Sequence, residues 1–347
     1  MFRTLSVLKK IIPKEIETLH RRYRLLKVIQ LMQPVGRRLL ANKLSIGEKM
    51  VRSDTDYFRE EGYVSVTSGG MILTEDGIEL LETLKEIMKD FEGIREIEDK
   101  LKKIIGCKEI LVVSGNTDVE PEAMSNIGRS AAKLLQAMID DETVVAITGG
   151  HTMKSVIKHI KTGGKDLSNA LIVPARGSLG NNVETQANTL VEAFAKKLDC
   201  KYKLLNLPDN LSEKAIESVS KDPNIKKIIE DIRKANIIVF GIGNAKKMAY
   251  RRDLNKKVLQ ILNDRKAVAE ALGYYFNRDG KMVHDSQTIG FHLEEFEKSI
   301  HPIAVAGGES KALAILSVRK FIKNGSLVID EACAIKVLEL AKEFKYN

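Results

Sequence analysis

Seven short runs of apolar residues between positions 106 and 347 constrain the fold more than any other feature of this sequence. The runs are rich in Ile, Val, Leu and Ala, most end in Gly or another small residue, and helical stretches separate them. Continuous rather than alternating apolar residues are typical of strands buried on both faces of a parallel sheet. The pattern predicts an α/β fold with a doubly wound, mainly parallel sheet. The runs lie at 108–115, 143–150, 169–177, 201–208, 235–243, 301–308 and 325–331.

Four of these runs end in turns that suit an anion, and ligands of such sheets bind beyond the carboxyl ends of the strands. Gly149 and Gly150 open a helix whose free N–H groups would attract an anion, and Thr152 adds a hydroxyl. Arg176 follows the third run and can bind a phosphate through two hydrogen bonds. The other two turns lie at 241–244, shortly before Arg251, and at 307–311, which includes Lys311. Glycine after a parallel strand also serves packing alone, but together the four turns predict a ligand with one or two phosphates.

Positive charge is concentrated in the first 70 residues. This segment holds fourteen Lys or Arg against seven Asp or Glu, whereas the whole chain has a net charge of +9. Such an asymmetry is expected of a protein that binds the phosphate backbone of nucleic acid. A merely solvated basic surface is the alternative on charge alone.

The order of predicted elements in residues 1–74 is that of a winged helix-turn-helix. An amphipathic helix over 15–32 precedes a short helix over 35–44, a turn at 45–47, a second helix from Glu48, and a hairpin around 68–70. Leu39, Met50 and Tyr57 are expected to face inward. A recognition helix reads the major groove with its N-terminal residues. The predicted DNA contacts are Arg37, Arg38, Lys49, Arg52 and Ser53, with Arg21, Arg22 and Arg24 as further phosphate contacts; a protein-docking module is the alternative.

Residues 75–105 form a predicted connector between this head and the α/β domain at 106–347. Apolar residues continue at helical spacing for about 25 residues, with charged flanks, which indicates one long dimerising helix. A helix packed wholly within its own chain is the alternative. A dimer would suit a palindromic operator.

Other chemistries find little support in the sequence. It contains no GxxxxGK[ST] phosphate-binding loop, no GxSxG elbow and no HExxH motif, and Lys246 stands where a dinucleotide fold needs Gly or Ala. Six histidines and three separated cysteines show no metal spacing. We therefore expect no catalytic residue, no cofactor and no metal. Without a signal peptide or an apolar membrane span, the chain is predicted to be cytoplasmic.

Several motifs in combination resemble the SorC-type sugar-binding transcriptional regulators, in particular those that control glycolytic genes. The motifs are QPVGRR, VRSD, ITGGHT, VPARGSLG, ETQAN, GIGNA, KKMAYRR, EALGYYFN and AVAGGESKA, and they run through nearly the whole chain. The resemblance implies an effector domain related in fold to ribose-5-phosphate isomerase and glucosamine-6-phosphate deaminase. It further implies a homodimer or tetramer that represses a glycolytic operon until fructose-1,6-bisphosphate binds.

The resemblance also assigns roles to residues. Gly149, Gly150, His151, Thr152, Arg176 and Lys311 would surround one phosphate, while Arg251 and Glu270 would hold the rest of the sugar phosphate. His151 departs from the family, which has a second Thr there, and this leaves the preferred phosphosugar open. Gly47 replaces a capping Ser before the recognition helix, at a cost of only a few tenths of a kcal/mol. The rival hypothesis from another class is a sugar-phosphate isomerase or deaminase that carries a DNA-binding head.

Overall fold

The computed structural model describes residues 11–177, 182–208, 213–286, 289–292 and 301–344. The chain divides into two compact units, Met1–Glu96 and Ile97–Asn347, so the division falls inside the predicted connector. Each unit has its own buried apolar core and is described by itself.

The first unit consists of helices and one hairpin, in the order predicted from the sequence. Its elements are α1 (Pro13–Met32), α2 (Arg37–Leu44), α3 (Glu48–Glu60), β1 (Val64–Thr67), β2 (Gly70–Leu73) and α4 (Glu75–Glu92). The two strands pair antiparallel, with Thr67 opposite Gly70 at the turn. The arrangement is a winged helix-turn-helix in which α3 follows the turn.

The core of this unit is formed by α1, α2, α3, the hairpin and α4. Leu26, Leu40, Val51 and Phe58 are among its fully or nearly fully buried side chains. Three residues expected to face inward are instead exposed, namely Leu39 at 45%, Met50 at 45% and Tyr57 at 39%. The ring of Tyr57 lies under the guanidinium of Arg22, 3.8 Å from the ring centroid, which explains how it is accommodated near the surface.

The connector is not one continuous helix, and that prediction was wrong. Helix α4 ends at Glu92 and α5 (Ile94–Ile105) begins two residues later. Gly93 between them has a φ of +74°, a left-handed conformation that interrupts a helix and that glycine adopts without steric penalty. Apolar periodicity continued across the break, so it did not reveal the glycine as a helix end.

The second unit alternates strands and helices from α5 to the end of the described chain. Its elements are β3 (Glu109–Val113), α6 (Pro121–Met138), β4 (Val144–Ile147), α7 (His151–Lys158), β5 (Leu171–Pro174), α8 (Ala187–Leu198), β6 (Lys201–Tyr202), α9 (Glu213–Val219), α10 (Pro223–Arg233), β7 (Ile237–Gly241), β8 (Gly243–Asn244), α11 (Ala245–Arg251), α12 (Lys256–Asp264), β9 (Ala267–Ala271), β10 (Tyr274–Asn277), β11 (Met282–Asp285), β12 (His301–Val305), α13 (Ala312–Ile322), β13 (Ser326–Asp330) and α14 (Glu331–Ala341). Short 3-10 turns at Val183–Thr185 and Glu309–Lys311 precede α8 and α13.

The predicted parallel sheet is confirmed. Seven strands follow the order β3-β13-β12-β7-β4-β5-β6, and every neighbouring pair is parallel. These seven strands arise from the seven apolar runs of the sequence. A second sheet, with the antiparallel order β11-β10-β9-β8, was not predicted.

Both faces of the parallel sheet are covered. Val145, Ile237 and Ile303 pack on one face in a cluster with residues of α6, α7 and α8. Their strand neighbours Ala146 and Ile238, which point to the opposite face, are equally buried. Burial on both faces explains why the strand sequences are continuously apolar.

Candidate functional site

The four turns singled out in the sequence follow four neighbouring strands of the parallel sheet. In the sheet β12 pairs with β7, β7 with β4, and β4 with β5. Because these strands are parallel, the segments after Val305, Gly241, Ile147 and Pro174 all emerge at the same edge. The segments that carry Thr152, Arg176 and Lys311 therefore all begin at the same carboxyl edge of the sheet.

The first turn leads from β4 into α7 and presents the start of that helix. Gly150 is its N-cap residue, with a φ of +118° and open space where a side chain would lie. The N–H of Lys154 donates to the carbonyl of Gly150 at 2.9 Å, so the N–H groups of His151 and Thr152 precede the first intrahelical hydrogen bond. His151 is exposed and Thr152 half-buried. This helix start can donate to an anion.

Gly149 has a packing role. A Cβ at this position would lie 2.6 Å from the carbonyl oxygen of Thr185, and the N–H of Gly150 donates to the same oxygen at 2.8 Å. The 3-10 turn Val183–Thr185 thus lies directly against the glycine. Gly149 thus fits the alternative interpretation, in which a glycine after a parallel strand serves packing alone. The positive φ of Gly150 instead belongs to the start of α7.

Arg176 lies at the end of β5 and is almost completely buried. Its guanidinium Nη1 is 3.7 Å from the Glu270 carboxylate, and a Cβ at Gly273 would lie 2.7 Å from the same atom. Arg252 donates to the same Glu270 oxygen, Oε1, at 2.6 Å, as does the N–H of Gly273 at 2.8 Å. The second sheet therefore positions Glu270 between two guanidinium groups.

Arg251 and Arg252 occupy different environments. Arg251, which the family resemblance selected, is exposed at the end of α11. Arg252, the next residue, has a side chain only 7% exposed and pairs with Glu270. Sequence reasoning missed Arg252, because two consecutive arginines at a helix end do not show which one turns inward.

The turn at 307–311 already holds two carboxylates of the protein. The N–H of Gly308 donates to Asp330 at 2.8 Å, and the N–H and hydroxyl of Ser310 donate to Asp118 at 3.0 and 3.1 Å. Asp118 was also missed, since it lies after β3 and far from the turn in sequence. We expected this helix start to attract the phosphate of a ligand, but acidic side chains of the chain itself accept from its donors.

Lys311 ends this turn and supplies a cation. Burial lowers the pKa of Lys311, an effect that neighbouring acidic groups, including Cys333, Asp118 and Asp330, partly oppose. Among the described residues, the ammonium group of Lys311 forms no hydrogen bond and no ion pair. Lys311 is thus a half-buried amine at the edge that the described part of the chain leaves available to an anion.

The first unit presents a separate basic face along α3. Lys49, Arg52 and Ser53 are exposed there, and the Arg38 side chain is 90% exposed near Glu48. Arg37 is less free than the sequence suggested, because it donates to Asp56 at 2.6 Å and to the Thr55 hydroxyl at 3.2 Å. Gly47 provides no side-chain cap for the helix.

Arg21 and Arg22 form ion pairs with a buried carboxylate in the first unit. Both donate to the carboxylate of Asp54, at 2.7 and 3.0 Å, and the Asp54 side chain is only 2% exposed. Burial alone would raise the pKa of Asp54, but the two guanidinium hydrogen bonds and charges outweigh it and lower that pKa. These arginines, considered above as further phosphate contacts, therefore have a structural function.

Within the described part of the chain, no group of three or more His, Cys, Asp or Glu is arranged to hold a metal ion. No helix among the described residues is both long and apolar enough to span a membrane.

Comparisons with known proteins identify the types of domain in this chain. Residues 18–88 match the family model "CggR N-terminal DNA binding domain", and residues 89–339 match "Putative sugar-binding domain". The chain is 38% identical over 338 residues to the central glycolytic genes regulator of Bacillus subtilis. The aligned region covers 97% of this chain and 99% of that protein. The Priestia megaterium protein of the same name is 37% identical over 341 residues, covering 98% of each chain.

Solved structures show the same fold. The full-length sorbitol operon regulator SorC from Klebsiella pneumoniae matches with a TM-score of 0.66 and 18% identity, covering 94% of this chain and 99% of that one. A chain titled "putative SorC family transcriptional regulator" from Enterococcus faecalis matches with a TM-score of 0.66 and 32% identity, covering 70% of this chain and 99% of that one. The chain belongs to the SorC-type family of sugar-binding transcriptional regulators and is a regulator rather than an enzyme.

Proposed function

We propose that the protein is a cytoplasmic repressor of a glycolytic operon, and that a phosphorylated sugar, foremost fructose-1,6-bisphosphate, modulates its binding to the operator. The observation that carries the proposal is the grouping of Thr152, Arg176 and Lys311 at one edge of the parallel sheet. The names of the two curated relatives support a glycolytic target.

One phosphate binds among the start of α7, Arg176 and Lys311. The N–H groups of His151 and Thr152 donate to its oxygens, the Thr152 hydroxyl adds a donor, and Arg176 and Lys311 neutralise its charge. Hydrogen bonds to charged groups are worth about 1.5–3 kcal/mol each, so this set is sufficient for specific binding.

Glu270 and Arg251 bind the remainder of the sugar phosphate. The contacts of Glu270 with Arg252, Arg176 and Gly273 described above all use Oε1. Oε2 therefore serves as the acceptor for sugar hydroxyl groups. The exposed guanidinium of Arg251 is suited to a second phosphate.

Effector and operator are coupled by linkage. In a homodimer or tetramer, the effector binds one arrangement of the subunits better and shifts the population away from tight operator binding. Residues 1–74 bind the operator through Arg37, Arg38, Lys49, Arg52 and Ser53, residues 75–105 dimerise, and residues 106–347 bind the effector.

The test has two readouts on the full-length protein. Thermal unfolding is measured with fructose-1,6-bisphosphate, fructose-6-phosphate, glucose-6-phosphate and unphosphorylated fructose, and a phosphosugar should raise the midpoint while fructose does not. Binding to a duplex that the protein selects from a random pool is then titrated with the same sugars. Unchanged midpoint and unchanged DNA affinity with every phosphosugar would refute the sensing function. Turnover of any of them in a coupled assay would support the isomerase or deaminase instead.

A further inference from the structure

Three arginines surround the carboxylate of Asp56 on the surface of α3. Arg37 donates to Oδ1 at 2.6 Å, the Arg59 guanidinium lies 3.6 Å from the same oxygen, and that of Arg52 lies 3.7 Å from Oδ2. Arg37 belongs to α2, so the carboxylate also joins the two helices of the helix-turn-helix. We call Asp56 with these three arginines the Asp56 cluster.

The Asp56 cluster contributes little to the stability of the fold. The Asp56 side chain is 30% exposed and that of Arg52 is 71% exposed, and exposed ion pairs are worth about 0–1 kcal/mol each. The structural ion pair of the head is the buried one at Asp54, two residues earlier. Asp56 therefore has a position and a charge that stability alone does not explain.

Asp56 lies on the side of α3 that carries the proposed base-reading residues. Lys49, Ser53 and Asp56 are spaced by four and three residues, which places them on one face of a helix. Val51, Asp54, Thr55 and Phe58 form the buried face on the opposite side. A duplex that lies against Lys49 and Ser53 must also approach the negative charge of Asp56.

We propose that Asp56 is a specificity-determining residue that sets the ratio of operator to non-operator DNA binding. Its carboxylate holds Arg37 and Arg52 in fixed directions and repels phosphates that do not meet these guanidinium groups in the right geometry. The operator offers that geometry and forms its own contacts with the arginines, whereas a non-operator duplex leaves them paired with Asp56 and gains fewer phosphate contacts. The inference rests on the proposed groove-facing role of Lys49 and Ser53.

The test compares full-length wild type with Asp56→Asn, which keeps the side-chain shape and removes the charge. Affinity is measured by fluorescence anisotropy at several salt concentrations, for a duplex that the wild type selects from a random pool and for a shuffled duplex of the same composition. Asp56→Asn should bind the shuffled duplex about three- to tenfold more tightly at low salt while its operator affinity does not rise. The operator preference should fall by a similar factor.

Two further variants separate a local effect from general charge and from misfolding. Glu79→Gln on α4 makes the same charge change at an exposed position of the head and should alter the preference less than twofold. Asp56→Glu keeps the charge and should retain the wild-type preference for the operator. This variant also tests the inference if Asp56→Asn fails to fold. An unchanged preference in Asp56→Asn, or a loss in Asp56→Glu as large as in Asp56→Asn, overturns the inference. A wild type that does not prefer its selected duplex refutes the proposed DNA function itself, so the two failures are distinguishable.

Discussion

The carboxylate of Glu270 accepts a hydrogen bond from the guanidinium of Arg252 at 2.6 Å, with less than one tenth of either side chain exposed. The same carboxylate lies 3.7 Å from Arg176 at the end of β5. Glu270 thus links the small antiparallel sheet to the edge of the parallel sheet. An interaction with sugar hydroxyl groups would be an addition to this structural function and would not replace it.

Glu270→Gln should destabilise the protein even without any ligand. The substitution keeps the shape but leaves two buried guanidinium groups without their carboxylate, a change that costs about 2–4 kcal/mol. Urea unfolding followed by circular dichroism measures the loss. Glu217→Gln is the control, because the ion pair of Glu217 with Lys221 is exposed and should contribute less than about 1 kcal/mol. Equal stability of both variants would contradict the structural function of Glu270.

Lys311→Met should weaken phosphosugar binding without destabilising the ligand-free protein. Burial lowers the pKa of Lys311, so its charge is costly in the absence of an anion, and an apolar side chain of similar length removes that cost. Loss of one charge-assisted hydrogen bond should weaken binding about tenfold or more, as isothermal titration calorimetry can measure. Lys320→Met, at an exposed position of the same helix α13, should bind like the wild type. Wild-type affinity in Lys311→Met would remove Lys311 from the site.

Asp54→Asn should destabilise the head, by an amount that depends on pH. Since the folded state lowers the pKa of Asp54, its charged form adds stability above the unfolded-state pKa of about 4, and this contribution is lost as the pH falls through that value toward the folded pKa. At pH 7 the loss should be about 1–3 kcal/mol, because Arg21 and Arg22 remain partly solvated. Urea unfolding at pH 7, 5, 4 and 3 should show the difference from wild type shrinking below about pH 4. A difference independent of pH would show that the ion pair is not its source.

Gly149→Ala should be poorly tolerated although its position is at a surface turn. The added methyl would lie 2.6 Å from the Thr185 carbonyl oxygen and 3.1 Å from the Ala187 nitrogen, so the backbone of the neighbouring 3-10 turn must move. Overpacking of this kind costs about 1–3 kcal/mol. Gly47→Ser is the comparison, because no atom lies within 4 Å of its Cβ position and a serine can cap α3. The midpoint of thermal unfolding should fall in Gly149→Ala and should not fall in Gly47→Ser.

The second sheet shows where sequence patterns were insufficient. Its strands β9 to β11 have four or five residues each and contain Glu270, His284 and other polar side chains, so no continuous apolar run marks them. Leu272 and Gly273, both with positive φ, form the tight turn between β9 and β10. The Leu-Gly pair between two short strands was the available signal, and it is weaker than Asn-Gly.

The amino-acid sequence by itself determined the apolar runs of the parallel sheet, the basic head and the glycine-rich turns, because each depends on residues close together in the chain. Only the tertiary structure decided that the strand order places four of those turns side by side. It also decided that Arg252 rather than Arg251 contacts Glu270, and that Asp118 accepts the hydrogen bonds of Ser310. Such neighbours are far apart in sequence or differ only in the direction of one side chain. Local patterns cannot specify them, since packing of the whole domain selects which distant groups meet.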